Sequence, residues 1–119
     1  MRIVELGPAE ERLPFMDWKG IVRRTEHLNA RMEELRPDGL YVEHGLDQTH
    51  KIGWVRIRFP WLESGEAARR LREEYGIRSL PVEENAVTFL VTSRASFEDM
   101  DYVQGAVVEL FLESLPRES

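Results

Sequence analysis

The sequence predicts an α+β domain in which a mainly antiparallel sheet carries helices on one face. Three observations lead there. Amphipathic segments at helical spacing flank a pair of strands, a polar five-residue loop joins those strands, and a dense apolar run precedes a capped final helix. The 119 residues are the size of one domain, and 42% of them are hydrophobic, enough to build a core.

Residues 1–6 read either as a short strand or as an arm that docks on another surface, since Gly7-Pro8 stops any element at once. The expected organisation is a single domain, residues 1–119, with an N-terminal arm at 1–16 and an α+β body at 17–119. From Asp17 the apolar residues Trp18, Ile21, Val22, Leu28, Met32 and Leu35 recur at helical spacing, with Arg23, Arg24, Glu26, Glu33 and Glu34 opposite. This helix should stop before Pro37-Asp38-Gly39, because a residue that precedes proline is pushed out of the helical region.

Segments 39–46 and 52–59 read as two strands of a hairpin across the loop Asp47-Gln48-Thr49-His50-Lys51. In the second strand Val55, Ile57 and Phe59 share one face, and Trp54, Arg56 and Arg58 share the other. Ser64 is placed to cap a helix that runs to Tyr75, and Gly76 sits where a left-handed residue ends it. An extended stretch begins at Ile77, and the run 86–92 alternates too little for a half-exposed strand, so burial on both faces, or on one face and at an interface, is expected. Ser96 and Asp99 stand at capping-box spacing before a last helix whose stripe is Met100, Val103, Val107, Leu110 and Phe111 and whose end is marked by Pro116. With residues 1–6 counted as a strand, the same order also spells a ferredoxin-like arrangement, the alternative architecture.

Composition removes several function classes. There are no cysteines, so disulfides, thiolate nucleophiles and cysteine-held metals are out. The net charge of -6, from 22 acidic and 16 basic residues spread along the chain, speaks against a nucleic-acid face. No apolar run has the length of a signal peptide or a membrane span, so the expected location is the cytoplasm. There is no glycine-rich phosphate loop, no nucleophile elbow and no zinc-binding His-Glu-x-x-His helix, which argues against an enzyme complete in itself.

Arg94 is the leading candidate for a binding role, because it follows the strongly apolar strand and precedes the capped helix. A guanidinium there holds a carboxylate through two parallel hydrogen bonds. The residues alone leave open a plain surface arginine paired with Glu98 or Asp99. Trp54, Arg56 and Arg58 form a second constellation, suited to an interface or an anionic ligand, while an arginine-lined sheet also resists aggregation. His27, His44 and His50 lack any metal-ligand spacing, and the many carboxylates sit on charged faces.

The segment 88–103, TFLVTSRASFEDMDYV, resembles the C-terminal stretch of the aromatic amino-acid β-eliminating lyases, the tryptophanases and tyrosine phenol-lyases. In that family a strand ends in an arginine-containing loop and turn, then a helix that opens with Met-Asp or a close variant. The element order from about Val22 is similar to the small C-terminal domain of fold-type-I pyridoxal-phosphate enzymes. The resemblance implies that Arg94 binds a substrate α-carboxylate. It also implies a cofactor, pyridoxal phosphate, held mainly by a separate large-domain chain, because the cofactor lysine, the phosphate loop and the pyridine-facing aspartate have no counterpart here. Lys19 and Lys51 are the only lysines, and the turn after Arg94 is shorter than the family's. The expected protein is then the small subunit of a heteromeric, lyase-type enzyme of amino-acid metabolism, inactive alone, with Trp18, Ile21, Trp54, Arg56 and Arg58 facing its partner. A non-catalytic module that binds a ligand or oligomerises is the alternative.

Overall fold

A computed structural model describes residues 4–5 and 18–116. The remainder of the expected N-terminal arm lies outside the described residues. The elements are β1 (Val4–Glu5), α1 (Trp18–Glu33), β2 (Tyr41–Asp47), β3 (Ile52–Arg58), α2 (Ser64–Tyr75), β4 (Ile77–Arg78), β5 (Val87–Val91) and α3 (Phe97–Glu113). Strands β2, β3 and β5 form an antiparallel sheet with β3 in the middle, so the predicted α+β class and hairpin are both present.

The short strand β1 pairs in parallel with β4, Val4 opposite Ile77, in a separate two-stranded sheet. A ferredoxin-like order needs its first strand inside the main sheet, so that alternative does not describe this chain.

One face of the sheet is apolar because strand side chains alternate. Val42, Val55, Ile57, Val87, Phe89 and Val91 are buried there beneath the helices. Helix α1 covers β2 and β3, α3 lies beside α1, and α2 packs against α3, β4 and β5. The stripe Met100, Val103, Val107, Leu110 and Phe111 is buried along its whole length, as its spacing required. Every residue of β5 is buried, which agrees with the missing alternation in its sequence.

Helix ends follow local chemistry with one exception. Gly76 closes α2 at φ 69°, a region costly for any residue with a Cβ. Helix α1 stops at Glu33, and Pro37 falls in a short 3₁₀ turn, Arg36–Asp38, closed by Gly39 at φ 113°. The exception is Ser64, which does not cap α2. Glu63 caps it, accepting the Gly65 N–H at 3.1 Å, while the buried Ser64 hydroxyl donates to the Asn85 carbonyl at 2.6 Å. A tertiary hydrogen bond took the hydroxyl and moved the cap one residue back.

The capping box of α3 is complete: Ser96 Oγ accepts the Asp99 N–H, and Asp99 Oδ2 accepts the Ser96 N–H, both at 3.0 Å. Ser96→Ala should therefore cost about 1 kcal/mol of stability, read from the urea midpoint.

Helix α1 meets β3 at a close contact. Thr25 is fully buried, and its hydroxyl donates to the Ile21 carbonyl at 2.8 Å. A Cβ on Gly53 would fall 1.9 Å from Thr25 Oγ1, so only glycine lets the helix approach this far. Gly53→Ala should destabilise by about 1–3 kcal/mol through overpacking. Adding Thr25→Ala should recover part of that loss in the same unfolding measurement, since Oγ1 and Cγ2 are then gone; no recovery would place the strain elsewhere.

Candidate functional site

Arg94 is delivered by β5 and a tight turn. Thr92, just past the strand, is buried; its carbonyl accepts the Ala95 N–H at 3.1 Å and its hydroxyl accepts the Arg94 N–H at 3.3 Å. Ala95 is buried as well, so the turn is held at both ends and Arg94 is left exposed between them. Asp99, a carboxylate the sequence offered to Arg94, is bound instead to the Ser96 N–H in the capping box. Among the described residues no carboxylate pairs with the Arg94 guanidinium.

Three residues on, Phe97 opens α3 with 44% of its surface exposed. The Arg24 guanidinium lies 5.5 Å from the centre of its ring, and His27 meets it edge-on at 5.3 Å. His27 Nε2 is 2.8 Å from Asp101 Oδ1, and Arg31 donates to Gln104 at 3.2 Å. The partners ascend together along both helices, so α1 and α3 run parallel with a polar seam between them. Among the described residues, Arg24 Nε and Nη1 in this seam are buried without a hydrogen-bond partner, which is rare for a charged group. The sequence reading assigned Phe97 and Arg24 no binding role, because only the docking of α1 alongside α3 places the Arg24 guanidinium against the Phe97 ring.

The second constellation is assembled but engaged within the chain. Trp54, Arg56 and Arg58 share the outer face of β3. The Trp54 indole lies against Gly45, where an added Cβ would come within 2.4 Å of it. Arg56 donates to Glu43 at 2.9 Å and to Thr88 Oγ1 at 3.1 Å, and its guanidinium lies over the Trp54 ring at 5.1 Å. Arg58 donates to the carbonyls of Asn85 and Glu84 and stacks over Tyr41 at 4.9 Å. The Tyr41 hydroxyl bond first, and Arg56 after it, hold the Glu43 carboxyl below its ordinary range against the upward pull of desolvation.

Of the other residues expected at an interface, Trp18 is half-buried and Ile21 has no exposed surface. Ile21 is a core residue here, because the helical stripe that suggested an interface is the one that covers the sheet. His44 and His50 do not meet across the hairpin. His44 pairs with Val55, whereas His50 bonds to Asp47 inside the loop, Nδ1 to Oδ2 at 2.7 Å. Among the described residues no group of three potential metal ligands comes together, and no helix is long and apolar enough to cross a membrane.

The described residues do not fit the cofactor that the resemblance implies. Lys19 is exposed on the first turn of α1, and Lys51 Nζ sits 5.5 Å from the Trp18 ring in the hairpin loop. What the Arg94 turn offers chemically is recognition of an anion by an exposed guanidinium. No protein-family model matches the chain, and no curated protein matches it.

Proposed function

We propose that this chain is the small subunit of a heteromeric pyridoxal-phosphate enzyme that acts on an α-amino acid with lyase-type chemistry. The cofactor belongs to a separate large-domain chain. This chain supplies Arg94 for the substrate α-carboxylate and closes the cleft against water. The observation that carries the reading is the exposed Arg94 side chain, carried on a turn whose backbone is held by two hydrogen bonds and paired with no carboxylate among the described residues. Phe97 supports it, since a large exposed aromatic with the Arg24 guanidinium against its ring is typical of surface that meets a partner.

The test is reconstitution. The purified chain should show neither cofactor absorbance nor turnover of amino acids. Co-purification from the source cell should yield a polypeptide with lysine-linked pyridoxal absorbance, and the recombined pair should respond spectrally to an amino acid. A co-purified complex without pyridoxal absorbance would leave the non-catalytic module as the better reading.

A further inference from the structure

We propose that the groove between α2 and residues 78–82 is a binding site for a small phosphorylated molecule with a short apolar stem. The groove has a volume of about 540 Å³, within the usual size of small-molecule sites, and none of its lining residues is acidic. Arg69 and Arg72 line it from the helix and Arg78 from the opposite wall, while Ala68, Leu80 and Val82 supply apolar surface. That wall is anchored, because the Leu80 N–H donates to the Thr88 carbonyl at 2.9 Å and so ties the segment to β5.

The arginines are unequal in availability. Glu66 accepts from Nε and Nη2 of Arg69 at 2.9 and 2.5 Å, and Glu73 accepts from its Nη1 at 2.8 Å. These bonds orient the guanidinium and leave further N–H donors on it. Arg72 is 63% exposed and approaches Glu73 only at 3.8 Å, beyond hydrogen-bond length, so it is ready to turn to a ligand. A planar carboxylate is satisfied by one guanidinium fork, whereas guanidinium groups on both walls suit the three oxygens of a phosphoryl group. The apolar lining supplied by Ala68 and Leu80 takes an alkyl stem.

This site lies beside the start of β5, whereas Arg94 follows its end, so the two can be tested apart. The full chain, ¹⁵N-labelled, is titrated with butyl phosphate, inorganic phosphate and butyrate at constant ionic strength. Butyl phosphate should shift the Ser79, Leu80 and Val82 amides saturably and bind about tenfold tighter than either other probe. Arg72→Gln and Arg78→Gln should each weaken it about tenfold, and Arg94→Gln should leave it unchanged. Non-saturable shifts, equal affinity for butyrate, or an undiminished response in Arg72→Gln would each overturn the assignment without touching the role of Arg94.

Discussion

Phe89→Ala is expected to destabilise the protein by about 3–5 kcal/mol. Phe89 has no exposed surface, stands opposite Val55 in the sheet and belongs to the single core cluster shared by the sheet and all three helices. Truncating it removes the transfer energy of a large aromatic ring and leaves a cavity that helices on one side cannot close. A domain of this size has a total stability of about 5–15 kcal/mol, so the variant should be marginal at room temperature. Urea unfolding followed by circular dichroism should show a lower midpoint with an unchanged slope. Phe89→Leu, which keeps most of the volume, should lose much less. A loss below about 1 kcal/mol for Phe89→Ala would mean that β5 is not the floor of the core.

That β5 is buried was readable from Val87, Phe89 and Val91 with Thr88 and Leu90 between them, since a strand with one wet face rarely carries so few polar residues. Helix identities were equally plain, because stripes such as Met100, Val103, Val107 and Leu110 have only one periodicity. Ser64 escaped the sequence reading for a reason of distance: its hydroxyl partner, the Asn85 carbonyl, is 21 residues away, and no local rule announces it. The parallel pairing of β1 with β4 is likewise non-local, and two residues of pairing leave almost no imprint on composition.

The candidate site divides the same way. Arg94 stood out because its neighbours define a strand end and a helix start, both local signals. Arg56 and Arg58 were read either as an interface or as an arginine-lined face that resists aggregation, and Glu43 and Thr88 on the two flanking strands, with Glu84 and Asn85 in the loop before β5, engage them. The alternation placed them on the right face but said nothing about what else occupied it. Ile21 shows the converse, since an apolar helical face marks burial without saying whether the covering surface is the chain's own or another's.

In the reconstituted complex, Arg94→Ala should weaken amino-acid binding by about 2–4 kcal/mol, because a carboxylate in a closed site would be left without its charge-assisted hydrogen bonds. The chain's own stability should change by less than about 0.5 kcal/mol, since the side chain is exposed and the turn is held by backbone and Thr92 bonds that alanine retains. That separation makes the measurement interpretable: affinity falls while the urea midpoint stays. Arg94→Lys should fall between, because an ammonium keeps the charge and loses the planar fork. Amines without a carboxylate should bind equally to wild type and Arg94→Ala, since they never used the guanidinium. If instead the amino acid binds Arg94→Ala as tightly as wild type, the carboxylate is held by the partner chain, and Arg94 is only an exposed cation at the end of a strand.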